Sequence, residues 1–164
     1  MRKRMIARKR RIVMMALILS ALSVSGAAGA LDTTTEVTEV TIDGTGKLSA
    51  HGVGNIAING GGWVKLKMNG DITIVDNAGD ATIRTRAIDR YWERADDTTV
   101  VLKGFKGVVV VRGSDFTIEA HGRFRHIFAQ GRGTAFLQGR GWYRATGGFF
   151  GTWTPGGVRV TYAL

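Results

Sequence analysis

The feature that most constrains this chain is the regular spacing of its glycines. In the C-terminal part, glycines recur every nine residues from Gly104 to Gly131 and then every eight or nine residues to Gly156. Glycine adopts the positive φ angles that tight turns require. Short strands separated by turn signals at regular intervals are typical of all-β proteins. The spacing therefore predicts a compact all-β fold that is punctuated by glycine.

The segments between the glycines alternate as half-buried strands do. In the segment WVKLKM, Val64, Leu66 and Met68 share one side, and Lys65 and Lys67 share the other. Two architectures fit this pattern. One is a two-layer β-sandwich; the other is a short β-solenoid, in which nine residues form half a coil. In this general manner the chain is similar to bacterial exported proteins of the β-solenoid type.

A short phrase occurs twice in the chain. LSAHG at residues 48–52 recurs as IEAHG at residues 118–122, and NIAINGGG at residues 55–62 aligns with HIFAQGRG at residues 126–133. Recurrence at a nearly constant offset indicates that one supersecondary unit has been duplicated. The sequence therefore predicts an internal duplication within a single domain.

The predicted domain spans residues 31–164, with units at about 33–85 and 98–164 joined by segment 86–97. This joining segment is rich in charge and has no glycine. Its apolar residues follow the spacing of one helix face: Ile88, Tyr91, Trp92 and Ala95. The pattern predicts a short helix, with an extended charged connector as the alternative.

The first 30 residues have the composition of a secretory signal peptide and predict an N-terminal signal helix. Seven Lys or Arg residues precede an apolar run, which ends in the small residues Ala28-Gly29-Ala30. We expect cleavage after Ala30 and export to the cell envelope or the extracellular space. In the alternative, residues 12–30 stay uncleaved as an N-terminal membrane anchor.

Net charge depends on whether this segment is counted. The whole chain carries +10, whereas residues 31–164 carry 16 Lys and Arg against 13 Asp and Glu, a net charge of +3. The balance is uneven, because residues 31–100 have a net charge of −4 and residues 101–164 have +7. The sequence therefore predicts a polarised surface that is basic toward the C-terminus. The chain contains no cysteine, so disulfides do not stabilise the domain.

Motifs for catalysis and for metal binding are incomplete. Asp71 and Asp80 follow glycines, but no segment carries the full calcium-binding nonapeptide, so we interpret both as turn formers. The histidines His51, His121 and His126 lack a recurring acid for a zinc site and are interpreted as turn residues. No serine-nucleophile, phosphate-loop or dinucleotide motif occurs. We therefore predict no catalytic residue, metal or cofactor.

Arginines and aromatic residues are interleaved in the C-terminal part. Guanidinium groups bind phosphate or carboxylate, and aromatic rings stack on sugars or bases. A core-facing row that alternates with a solvated row would produce the same pattern without any ligand. The candidate ligand-binding residues are Arg123, Arg125, Arg132, Arg140, Arg144, Trp142, Tyr143, Phe149, Phe150 and Trp153.

These observations predict an exported, non-enzymatic β domain of the cell envelope or extracellular space that acts as a binding or structural module. The alternative is more specific: a binder of anionic wall polymer or acidic polysaccharide through the Arg/aromatic residues. Nucleic acid is a weaker partner for an exported protein, and membrane contact is expected only through residues 12–30. A hydrolase with a site built on His121 or His126 is the third alternative.

Overall fold

The computed structural model describes residues 37–42, 46–89 and 91–162. The strands of this part belong to one mixed sheet, which confirms the all-β prediction. A 3-10 turn at Thr146–Gly148 follows the longest strand. The strands are β1 (Thr38–Ile42), β2 (Lys47–Asp76), β3 (Thr82–Ala87), β4 (Trp92–Ala95), β5 (Thr99–Ala145), β6 (Phe150–Thr152) and β7 (Val158–Tyr162).

Most of the fold is built by β2 and β5, which pair antiparallel along two registers. Ile118 of β5 pairs with Ile58 on one side and with Ile74 on the other. Leu66 of β2 likewise pairs with residues of β5 on both sides. A residue with partners on both sides lies inside a sheet, so successive passes of the same two strands are neighbours. The two long strands therefore follow a coiled path.

Along β2 the side-chain alternation is unbroken from Leu48 to Ile74, with even-numbered residues facing inward. Glycines occupy the inward positions at intervals, and most of them face a glycine of β5. The facing pairs are Gly52–Gly141, Gly54–Gly139, Gly60–Gly133, Gly62–Gly131 and Gly70–Gly122. At Gly54 the φ angle is +148°, and a Cβ there would overlap the carbonyl oxygen of Gln138. The coiled path thus depends on strand segments that approach too closely for a side chain.

The inward-facing residues form one hydrophobic core, which contains no buried charged side chain among the described residues. Phe105, Phe116 and Phe124 are its largest fully buried side chains. Tyr162 of β7 is also buried, and this desolvation raises the pKa of its hydroxyl to about 12. Stability comes from this apolar packing and from the strand ladders.

Segment 86–97 does not form the predicted helix. Its described residues contain the end of β3, a bend and β4, and both strands pair antiparallel with β5. The expected apolar helix face is not buried, since Ile88 is 68% exposed and Trp92 is 55% exposed. The backbone instead supplies ladder partners to an edge of β5 that would otherwise lack them.

Several predictions concern residues outside the described part of the chain, or features that the fold does not test. The signal helix at residues 1–30, the cleavage after Ala30 and the anchor alternative at residues 12–30 lie outside the described residues. Among the residues that are described, there is no helix with the length and apolar character of a membrane span. The described strands form one sheet rather than two separate ones, and the duplication stays a prediction.

Candidate ligand-binding face

One surface of the sheet is strongly basic. Strand pairing places the outward-facing residues of six segments side by side: 47–53, 63–69, 84–86, 106–112, 123–130 and 140–144. We call this surface the basic face. Its eleven Lys and Arg residues are Lys47, Lys65, Lys67, Arg84, Arg86, Lys106, Arg112, Arg123, Arg125, Arg140 and Arg144.

The six segments contain no Asp or Glu. Within the described part of the chain, one basic-face residue forms an ion pair: Lys106, whose Nζ lies 2.9 Å from Asp89 Oδ2. Like charges on neighbouring strands repel each other, and the segments themselves supply no carboxylate to neutralise them. The basic face therefore presents a positive potential to solvent.

Three of these bases form a row across the strands. Arg140 pairs with Val53, Val53 with Arg123, Arg123 with Asn69, and Asn69 with Lys106. We call this the Arg140–Lys106 row. Neighbouring strands are about 4.8 Å apart, so successive bases of the row are separated by about 10 Å. Charged and neutral side chains alternate along it.

A β-bulge adds two further polar side chains to the basic face. Arg125 and His126 are both exposed, although the flanking Phe124 and Ile127 are both buried. The pairing register of β5 with β2 shifts by one residue at this point. An extra residue in one strand turns two consecutive side chains outward.

Aromatic rings form two clusters on the same face. In the first, the ring of Trp142 stacks on His51 with centroids 5.9 Å apart and on Phe150 at 6.0 Å. In the second, the ring centroid of Phe128 lies 5.1 Å from that of Trp63 and 6.4 Å from that of His126. Flat rings beside cationic groups can contact the faces of sugar rings or bases.

The second cluster also holds a cation. The guanidinium carbon of Arg112 lies 5.7 Å from the centroid of the Trp63 ring. This distance allows a cation–π interaction, which orients the side chain over the ring.

The sequence-predicted candidates divide between surface and core. Arg123, Arg125, Arg140, Arg144 and Trp142 lie on the basic face, with Phe150 beside them on β6. Tyr143 and Trp153 are instead buried, with 2% and 4% of their surface exposed.

The two other candidates lie at the margins. Phe149 is 46% exposed and follows the 3-10 turn, where its ring contacts Tyr143. Arg132 is exposed and pairs with Gly61, between two of the facing glycine pairs. The structure therefore brings together four of the five arginines but not all of the aromatic residues.

Shallow cavities mark the basic face. One of about 180 Å³ is lined by Lys67, Lys106, Arg123 and Arg125. A second, of about 350 Å³, has Trp63, Lys65, Arg84 and Arg112 in its lining. A third, of about 370 Å³, includes Lys47, Phe128 and Arg144. Each of these cavities has at least two cationic side chains in its lining.

A second series of paired segments carries mixed charge on its outward side, and we call it the mixed-charge face: 38–41, 158–162, 134–138, 55–59, 117–121, 71–75 and 99–103. Lys103 pairs with Asp71 at 3.2 Å, and Arg159 pairs with Glu39 at 2.8 Å. The backbone N–H of Gly104 and the Lys103 ammonium stabilise the carboxylate of Asp71 and lower its pKa. Local pairing of this kind leaves little net potential for a ligand.

His121 lies in β5 on the mixed-charge face, and His51 and His126 also lie in strands rather than in the predicted turns. His121 takes part in a chain of hydrogen bonds. Gln138 Nε2 donates to the carbonyl oxygen of Pro155 at 3.0 Å, and Asn55 Nδ2 donates to Gln138 Oε1 at 3.2 Å. Asn55 Oδ1 then accepts from His121 Nδ1 at 2.6 Å. Because an amide oxygen only accepts hydrogen bonds, His121 Nδ1 is the donor in this last bond. Within the described residues, no group of three or more His, Asp or Glu side chains is placed to hold a metal ion.

Sequence reasoning missed the N-terminal contribution to the basic face. Lys47, Lys65, Lys67, Arg84 and Arg86 belong to a region whose net charge is negative. The alternation in WVKLKM did place Lys65 and Lys67 on one side of a strand. Which strands lie beside them depends on the long-range register, and no local signal carries that information.

No protein-family model, curated protein or solved structure matches this chain. The fold and the face define an all-β domain with a one-sided cationic surface.

Proposed function

We propose that this domain is a non-enzymatic binding module that holds an anionic polymer against the basic face. The observation that carries the proposal is the segregation of charge: eleven bases and no acid occupy the six segments of one face. An extended cationic surface suits a ligand with many anionic groups better than it suits a small molecule.

Two further features support a polymer. The cavities on the basic face are separate and shallow, so a ligand that reaches several of them must be extended. The aromatic clusters around Trp142 and Phe128 lie among the bases, where rings can contact the uncharged parts of the same ligand.

The proposal is tested by salt titration. We expect the full chain to be retained on an anionic polysaccharide matrix at low salt. If about five cationic side chains contact the polymer, affinity should fall at least about tenfold between about 50 and 200 mM salt, because added ions screen each charge contact.

An uncharged polysaccharide matrix of the same pore size is the control. Absence of retention on the anionic matrix contradicts the proposal, and so does an affinity that stays constant as salt rises.

Export is part of the same proposal. Support comes from the cationic head, the apolar run and the small residues that end at Ala30. We expect the mature protein to begin at Leu31 and to fractionate with the envelope or the medium. N-terminal sequencing of the product in each cell fraction is the measurement, and an intact chain in the cytosol contradicts export.

We also propose that the domain arose by duplication and that its coiled path is a form of the solenoid alternative. The pairing registers support this. A shift of 70 or 71 residues converts the pair Gly52–Gly141 into Gly122–Gly70, and both are ladder pairs. The same shift exchanges Gly60–Gly133 with Gly131–Gly62. A twofold relation between two copies of one unit would produce this exchange.

A further inference from the structure

We infer that the polymer is a polysaccharide with a carboxylate on every second sugar unit, bound along the Arg140–Lys106 row. This inference rests on the proposed function and adds the ligand class. It follows from the spacing of charge in the row and from the neutral side chains between the charges.

The spacing is set by the coil. Arg140, Arg123 and Lys106 all belong to β5, whose passes alternate with those of β2. The three bases are therefore two strand spacings apart, about 10 Å. Each sugar unit lengthens an extended polysaccharide by about the distance between two neighbouring β-strands. The distance between consecutive bases of the row therefore equals the length of about two sugar units.

The positions between the bases are neutral. Val53 is 48% exposed and offers an apolar contact to the face of a sugar ring. Asn69 is exposed and can donate and accept hydrogen bonds with sugar hydroxyls. A carboxylate over Val53 would lie between two bases of the row rather than directly over one, and a carboxylate over Asn69 would share the cavity that Lys67 and Arg125 also line. The alternation along the row therefore favours alternation along the ligand.

The same spacing disfavours densely charged polymers. Phosphates of one DNA strand in a duplex follow each other at about 3.4 Å along the axis, roughly three for each interval of the row. Most of those anions would lie opposite Val53 or Asn69. A polyphosphate would be bound only through its general attraction to the basic face.

At its Lys106 end, the row borders a cavity that can hold a carboxylate. Lys106 and Arg123 line the cavity of about 180 Å³, and Asp89 already places a carboxylate oxygen 2.9 Å from Lys106 Nζ. Both side chains of this ion pair are about half exposed, at 47% and 59%. Such a pair contributes little stability, so a ligand carboxylate can replace Asp89 at low cost.

The test compares three polymers with equal numbers of charges: hyaluronan oligosaccharides, polygalacturonate and polyphosphate. Hyaluronan has a carboxylate on alternate sugars, and polygalacturonate has one on every sugar. We expect hyaluronan to bind the full chain at least tenfold more tightly than polygalacturonate or polyphosphate at low salt, and equal binding of polygalacturonate would overturn the inference. Replacement of Arg140, Arg123 and Lys106 by Gln should weaken hyaluronan binding about 100-fold.

The matched control changes three bases of the same face outside the row, Lys47, Arg84 and Arg144, to Gln. We expect this control to lose less than tenfold for hyaluronan. Equal losses in the two variants, or polyphosphate binding as tightly as hyaluronan, would overturn the inference while leaving the basic face a polyanion site. Failure of all three polymers to bind would instead remove the proposed function itself.

Discussion

Replacing Gly54 with alanine is expected to lower the free energy of unfolding by about 4 kcal/mol. The φ angle of +148° is unfavourable for a residue with a Cβ, and the added methyl would overlap the Gln138 carbonyl oxygen. A loss of this size is a large part of the roughly 5–15 kcal/mol that stabilises a typical domain. Urea unfolding followed by tryptophan fluorescence measures it.

The control is Gly79→Ala. Gly79 also has a positive φ, +77°, but a Cβ there meets no atom within 4 Å. Its cost should be about 1 kcal/mol, from the left-handed backbone alone. Similar losses for both variants would show that close approach of β2 and β5 does not determine the effect.

Neutralising four bases of the basic face is expected to weaken binding to an anionic polysaccharide about 1,000-fold at low salt. The changes are Lys67, Lys106, Arg123 and Arg125 to Gln, the four bases that line one cavity. A cationic side chain held near an anionic surface contributes about 1 kcal/mol, and each additional 1.4 kcal/mol or so is tenfold in affinity. Calorimetric titration of the purified full chain is the measurement.

A second variant with the same change in net charge is the control: Arg94, Lys103, Arg132 and Arg159 to Gln. These residues lie outside the six segments of the basic face. Their loss should weaken binding less than fivefold. Equal weakening in the two variants would mean that net charge, and not the basic face, attracts the polymer.

The sequence was sufficient for the all-β class, because two-residue alternation is a local signal, but most of the glycines expected in turns lie inside β2 and β5, where the strands approach closely. It was insufficient for the joining segment 86–97. There, of the four residues at helical spacing, Tyr91 packs on the buried Phe105, whereas Ile88 and Trp92 are exposed. Hydrogen bonding to the edge of β5 determines the local structure instead. A tertiary partner thus overrides a local pattern.

The candidate face was predicted in part for the same reason. Arg123, Arg125, Arg140 and Arg144 were found because arginines and aromatics lie close together in the sequence. Lys65 joins them only because it pairs with Phe128, which is distant from it along the chain. Tyr143 and Trp153 are buried, unlike the surface residues beside them. Alternation alone does not show which side of a strand faces the core, so their burial could not be predicted.

The two registers of β2 and β5 also determine how the domain can assemble. β2 and β5 supply each other's neighbours, as when Leu48 pairs with Ala145 at the far end of β5. Within the described residues β2 pairs only with β5, so its ladder cannot form before β5 is present. Proteins dominated by such distant pairings fold slowly, in milliseconds to seconds. The first pass of β2, at Leu48, therefore gains its second ladder partner only when Ala145 of β5 is present.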